Sequence, residues 1–208
     1  MPASHSVPVP ADRVVRWFEN FASRHGGPRF SVSDGALHAT APDGASAEAR
    51  LPFAEAYDGP ADPLALQAAV TMPTRWGVLL VRKGGFAVAV VDHGQVADSK
   101  VGQRHVQGRT KAGGQSQQRF ARRRDNQARA AYQAAADHAV RVLAGPLFAL
   151  VCGGDRPAVE AVLSDPRLAV LADVRVDPWL AVPDPRRGVL DQAVVDARSV
   201  QVVVTEPG

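Results

Sequence analysis

The sequence of 208 residues contains one cysteine, Cys152, and so cannot form an internal disulfide. Cys152 ends the apolar run 147–152 and has no evident base near it in the sequence, which favours a small buried side chain over a nucleophile. The six histidines are scattered, and neither His-x-x-x-His nor Cys-x-x-Cys spacing occurs. The sequence therefore predicts no metal site.

Long apolar runs are also missing. The longest, such as Phe86 to Val91, have six residues, whereas a membrane-spanning helix needs about 20. The first ten residues lack the basic start and apolar stretch that are typical of a secretory signal. These absences predict a cytoplasmic protein without membrane contact.

The net charge is small, but its distribution is uneven. The chain carries 24 Lys and Arg against 21 Asp and Glu, a formal charge of +3. Residues 99–136 alone contain nine basic residues and one acid, a charge of +8, which leaves −5 for the rest of the chain. An acidic body with one basic segment is typical of a protein that docks on nucleic acid, although a solvated basic helix would have the same composition.

Residues 1–72 are predicted to form a small α+β module. An amphipathic helix over Asp12 to His25 ends at Gly26-Gly27-Pro28. Short alternating stretches around 30–32, 37–39 and Leu51 predict an antiparallel sheet. A helix over about 62–70 closes the module, and Pro73 marks its boundary.

Residues 73–208 are predicted to form a second domain. Strands are expected at 76–81, 86–91 and 95–101, followed by an exposed loop over 102–116 and a long helix over 117–143. The remaining elements are a buried strand at 147–152, a helix at 157–163, a weaker strand region at 168–176, a helix at 188–197 and a last strand at 199–205. This order resembles the ribonuclease-H-like arrangement, so the predicted class is α/β (α+β) with a mixed sheet covered by helices.

The segment with the most specific pattern joins the predicted loop to the long helix. It contains Gly113-Gly114-Gln115-Ser116 followed by Arg119-Phe120-Ala121-Arg122-Arg123-Arg124. The P-loop pattern and G-x-G-x-x-G are both absent from the chain, so a bound nucleotide or other cofactor is not predicted. A bare Gly-Gly-Gln would fit an exposed loop with a serine cap at Ser116, but the longer string is more specific.

That string resembles the signature of the catalytic middle domain of eukaryotic and archaeal class-1 translation release factors. The first 70 residues are too few for a stop-codon-reading domain, and the end of the chain near Thr205 leaves no room for a domain that recruits a GTPase. The chain therefore resembles the compact Vms-like release factors of actinobacteria, which are related to the peptidyl-tRNA hydrolase of eukaryotic ribosome-associated quality control.

The resemblance implies codon-independent hydrolysis of peptidyl-tRNA on stalled large ribosomal subunits. It implies that Gly113, Gly114 and Gln115 are catalytic, and that the partners are large-subunit rRNA and peptidyl-tRNA, with the protein acting as a monomer. A glutamine amide does not titrate near neutral pH, so Gln115 would position water rather than act as a base. The two glycines would let the backbone approach a narrow RNA-walled pocket.

The basic residues beside this motif are predicted to contact RNA phosphates, which fix orientation and make binding depend on salt. They are Arg109, Lys111, Arg119, Arg122, Arg123, Arg124 and Arg129.

Two other functions fit parts of the pattern. A ribonuclease-H-like fold can support a metal-dependent nuclease with Asp92, Asp98 or Asp155 as ligands, although the first strand of the second domain has no carboxylate. A binding-only factor that occupies an empty tRNA site would also use the basic segment, but would not need Gln115.

Overall fold

The computed structural model describes residues 4–83, 85–103 and 115–207, and for residues 103 and 115–128 it describes the backbone alone. In chain order the elements are β1 Ser4–Val9, α1 Val14–His25, β2 Arg29–Ser33, β3 Ala36–Thr40, β4 Ser46–Arg50, α2 Pro63–Ala68, β5 Arg75–Arg82, β6 Gly85–Asp92, β7 Gln95–Gln103, α3 Gln115–Val142, β8 Ala149–Gly154, α4 Arg156–Leu163, β9 Arg175–Leu180, α5 Arg187–Ala197 and β10 Val200–Thr205. The chain divides into two units, Met1–Met72 with Val194–Gly208, and Pro73–Ala193.

The first unit is an antiparallel sheet packed against α1. Its strand order is β1-β10-β4-β3-β2. Helix α1 buries Val14, Phe18 and Phe21, which the 3.6-residue repeat places on one face. Gly26, at φ +86°, follows the last helical residue in a conformation that favours glycine. Every second residue of β3, β4 and β10 is a buried alanine, valine or leucine, and these side chains complete the core.

Strand β10 corrects the predicted domain organisation. The sequence placed residues 199–205 in the second domain, but β10 lies between β1 and β4, with Val202 opposite both Val7 and Ala49. Val200, Val202 and Val204 are buried in the core of the first unit. Alternation along a strand specifies which side chains face inward, whereas its partners depend on long-range packing that periodicity does not encode.

The strand predicted at 168–176 is also corrected. Pro166–Leu171 form a 3-10 helix, and β9 begins only at Arg175. The Asp165 carboxylate accepts a hydrogen bond from the Arg167 N–H, and proline occupies the first turn. Capping aspartate followed by proline is a helix-start signal that overrides the β propensity of the apolar residues after it.

The second unit contains a mixed five-stranded sheet in the order β7-β6-β5-β8-β9. Strand β5 pairs antiparallel with β6 and parallel with β8, which in turn is parallel to β9. Side chains from α3 and α4 pack with those of β5, β6 and β8 in one apolar core. The mixed α+β class predicted from the order of elements is confirmed.

Candidate active site

Of the three predicted catalytic residues, Gln115 lies at the start of α3. Gly113 and Gly114 are outside the described residues, and Gln115 is the first residue of the helix, with its backbone alone described. The helix therefore begins two residues earlier than predicted, and residues 102–103 of the predicted loop belong to β7.

The predicted RNA-binding residues that the structure describes lie on the same helix. Arg109 and Lys111 are outside the described residues, whereas Arg119 and Arg122 to Arg124 lie on the helical backbone of α3. Arg129 is exposed and makes no ion pair within the described part of the chain. The structure thus places five of the seven predicted basic residues on one continuous helix.

Helix α3 is long, and its C-terminal part packs into the core of the second unit. It has 28 residues, a length of about 42 Å at 1.5 Å per residue. Ala135, Ala136, Ala139 and Val142 are buried, and Tyr132 packs against the same core. Gln115 precedes Tyr132 by 17 residues, about 25 Å along the helix axis.

An ion-pair network joins α3 to the 3-10 helix that follows α4. Arg167 Nη2 lies 2.6 Å from Asp137 Oδ1 on α3 and 2.7 Å from Asp165 Oδ2. Gln133 Nε2 donates to both carboxylates at 3.4 Å. On the same helix, Arg141 Nη1 lies 2.7 Å from Asp98 Oδ2 of β7. These pairs connect the core-packed part of α3 to β7 and to the 3-10 helix.

The charges of this network affect one another's protonation. Hydrogen bonds from Arg167 hold the pKa of Asp165 well below its usual range, and the Arg167 side chain likewise lowers the pKa of Asp137. The same two carboxylates raise the pKa of the Arg167 guanidinium. A carboxyl group whose pKa is lowered by folding stabilises the folded state above its ordinary pKa, and this contribution is lost as pH falls.

Arg167→Gln is expected to lower the thermal midpoint at pH 7 by an amount that shrinks on acidification. The difference from wild type should be constant above about pH 5 and shrink progressively below about pH 4, because the carboxylates become protonated first in the unfolded state and only at lower pH in the folded state. Added 1 M NaCl at pH 7 should also shrink it, since the Arg167 and Asp137 side chains are each about half exposed. Thermal unfolding of both proteins from pH 7 to pH 2.5 measures this, and an unchanged difference at the lowest pH would contradict the network's role.

The three carboxylates considered for a nuclease centre are not brought together. Asp92 lies opposite Arg75, the first residue of β5. Asp155 lies near the other end of that strand, where its N–H donates to Val81 O. Six residues of strand separate these positions by about 20 Å. Each of the three carboxylates has an arginine within ion-pair distance: Arg75 for Asp92, Arg141 for Asp98 and Arg82 for Asp155. Among the described residues no group of three potential ligands can hold a metal ion.

Cys152 lies on β8 in the core of the second unit, 1% exposed. Burial raises the pKa of its thiol to about 12, so the group remains a neutral thiol at physiological pH. The predicted structural role of this residue is confirmed.

Sequence reasoning missed Arg167 as a partner of α3. The Asp-Pro-Arg start of the 3-10 helix gave a local signal for the Asp165–Arg167 pair. No local signal joins Arg167 to Asp137, because they are 30 residues apart in sequence.

No helix within the described ranges is both long and apolar enough to cross a membrane. The mixed α+β fold, with a long basic helix that begins at Gln115, agrees with the release-factor class that the sequence motif predicts. Residues 74–203 match the family model of the Actinobacteria/chloroflexi VLRF1 release factor, and the chain belongs to this family.

Two solved structures show weak overall similarity. An archaeal protein is 13% identical with a TM-score of 0.37, and the match covers 94% of this chain and 66% of the other. Archaeoglobus fulgidus Pelota is 12% identical with a TM-score of 0.29, covering 94% of this chain and 63% of the other. The chain thus spans slightly less than two thirds of the length of either protein. No match was found among curated proteins.

Proposed function

We propose that this protein hydrolyses the ester of peptidyl-tRNA on stalled large ribosomal subunits, without reading a codon, and that Gln115 positions the attacking water. The observation that carries the proposal is the position of Gln115 as the first residue of a 28-residue helix, directly after two glycines, in a chain of a release-factor family. We expect the partners to be large-subunit rRNA and peptidyl-tRNA, and the protein to act as a cytoplasmic monomer.

The length of α3 supports this function physically. A separation of about 25 Å between Gln115 and Tyr132 allows a slender element to enter a deep site while the folded unit stays outside. Gly113 and Gly114 have no side chains, so the backbone before Gln115 can approach an RNA wall closely. The same features would serve little purpose in an enzyme whose substrate binds on its own surface.

The proposed role of Gln115 is to position the reacting groups by hydrogen bonds. Its amide oxygen can accept a hydrogen bond from water, and its amide N–H groups can donate toward the oxygen that becomes negatively charged. Water attacks the ester carbonyl carbon, the bond to the ribose oxygen breaks, and a free peptide acid and a deacylated tRNA result. The amide exchanges no proton itself, so the ribose oxygen must be protonated by another group at the site.

The proposed function is tested with stalled large subunits that carry labelled peptidyl-tRNA. Wild-type protein should release the peptide and leave the tRNA chain intact, and release should not require a codon. Cleaved tRNA would indicate a nuclease, and stable binding without release would indicate a binding-only factor. Either result contradicts the proposal.

Arg122 and Arg123 are proposed to contact RNA phosphates. Replacing both by glutamine should weaken subunit binding and lower the slope of log affinity against log salt by about 1.5, because each lost phosphate contact removes about 0.7–0.9 from the slope. Arg13→Gln with Arg16→Gln is the matched control, since both residues are exposed on the first unit and the loss of charge is equal. The measurement is subunit binding from 50 to 300 mM salt. Equal slopes of log affinity against log salt for the two double variants would refute a specific contact by Arg122 and Arg123.

A further inference from the structure

A cavity of about 160 Å³ lies between the sheet of the second unit and α3, well away from Gln115 along the helix. The residues that line it include Arg82, Phe86, Gly102, Ala131, Tyr132 and Ala134. They come from β5, β6, β7 and α3. The walls of the cavity are mainly apolar, and the Arg82 guanidinium is the charged group that lines it. Its volume is below the roughly 300–1,000 Å³ of pockets for drug-sized ligands, so it fits a single planar ring system.

The Phe86 wall of the cavity is fixed in place. Its side chain is 7% exposed, and its ring stacks on that of His138 with a centroid distance of 5.5 Å. A Cβ atom on Gly102 would lie 2.2 Å from Phe86 Cε1, so only glycine at position 102 leaves room for this ring. The cavity is therefore shaped before any ligand binds, which lowers the entropic cost of binding.

Arg82 is held at the cavity by three groups. Its Nη1 donates to Val182 O at 2.8 Å, and its Nε lies 3.7 Å from both Asp155 Oδ1 and Asp184 Oδ1. The two carboxylates offset its charge. Two further cations flank the cavity in sequence: Lys83 follows Arg82, and Arg129 lies one helical turn before Tyr132. Both are exposed, and neither has an ion-pair partner among the described residues.

A second pairing of an aromatic ring with arginine lies beyond Arg82 on the same edge of the sheet. Arg156 Cζ is 4.3 Å from the centre of the Trp179 ring, whose Nε1 donates to Gly154 O at 3.2 Å. Gly154 adjoins Arg82, because a Cβ on Gly154 would lie 3.0 Å from Arg82 Cγ. Aromatic rings and guanidinium groups therefore alternate along this edge, which is the composition that proteins use to stack unpaired bases.

We propose that the cavity binds one unstacked nucleobase of single-stranded RNA, with Phe86 and Tyr132 as its walls and Arg82 contacting the base edge or adjoining phosphate. The identification of that RNA as ribosome-bound rests on the proposed function. An aromatic side chain of a protein partner would also fit the space, but the exposed cations Lys83 and Arg129 favour a polyanion.

The test uses the full chain and amide NMR titrations at fixed ionic strength. The probes are the four nucleoside 5′-monophosphates, ribose 5-phosphate and N-acetyltryptophanamide. Nucleotides should shift the signals of Phe86 and Tyr132 with saturation, whereas ribose 5-phosphate should not. Ala134→Met fills the cavity from an exposed helical position and should weaken nucleotide binding at least about tenfold. Ala161→Met, an equal change at an exposed position of α4, should leave it unchanged.

Each other outcome overturns the proposal. Binding of ribose 5-phosphate as tight as that of the nucleotides would show an anion site. Binding of N-acetyltryptophanamide alone would show a protein docking site. If no nucleotide bound, the proposed nucleobase site would be refuted. The thermal midpoints of both methionine variants should match that of wild type. Nucleotide binding without peptide release by the wild type would support the nucleobase site and refute the proposed hydrolase. Failure of this proposal can therefore be distinguished from failure of the proposed function.

Discussion

Replacing Gln115 by alanine should lower the rate of peptide release on stalled large subunits by about 10²–10³-fold or more. Loss of one preorganised donor at a developing oxyanion costs about 3–4 kcal/mol in other hydrolases, and the variant also loses the group that orients water. Subunit binding should stay close to that of wild type, because the arginines of α3 remain. Single-turnover release at saturating protein separates the rate of chemistry from binding.

The matched control for this prediction is Gln117→Ala, the same change two residues further along α3. It should retain release within a few-fold of wild type, since alanine favours helix and the Gly-Gly-Gln motif is intact. Equal release by wild type and the Gln115 variant would refute the catalytic role. Equal losses in both glutamine variants would indicate damage to the start of the helix instead.

Replacing Val202 by lysine should destabilise the first unit by at least about 4 kcal/mol. Val202 is 1% exposed in the central region of the sheet, and an ammonium group there has neither water nor a counter-ion. Amide exchange followed by mass spectrometry should show loss of protection over residues 29–50. If residues 199–205 belonged to the second sheet, the loss would fall over 76–91.

Val203→Lys is the control because the neighbouring residue points to the other face of the sheet. Val203 is 39% exposed and lies opposite Glu48, so a lysine there keeps its hydration and faces a carboxylate. Its effect should be within about 0.5 kcal/mol of wild type. A similar loss of stability in both variants would contradict the described register of β10.

The sequence predicted most elements because their signals are local. The period of α1 and its Gly-Gly-Pro end gave that helix, and the turns at 83–85 and 92–94 separated the strands β5, β6 and β7. The prediction failed at 166–171, where a capping aspartate and a proline started a 3-10 helix in a stretch that looked like a strand. That failure was a competition between two local signals, of which the cap was the stronger.

Only part of the candidate site could likewise be predicted from the sequence. The Gly-Gly-Gln motif and its arginines could be recognised from the sequence because they are contiguous. The Asp137–Arg167 pair and the nucleobase cavity could not, since they join residues from separate elements. Arg82, for example, donates to a carbonyl 100 residues away in the chain.

The sequence by itself determined the element types, the absence of an internal disulfide and the uneven charge, with +8 concentrated around the Gly-Gly-Gln motif. The tertiary structure alone decided that the C-terminal strand completes the first sheet between β1 and β4, and that Asp92 and Asp155 lie at opposite ends of β5. The physical reason is that propensity, capping and motif chemistry act between near neighbours in the chain. Strand partners, ion pairs and cavities depend instead on which distant surfaces bury the most apolar area together.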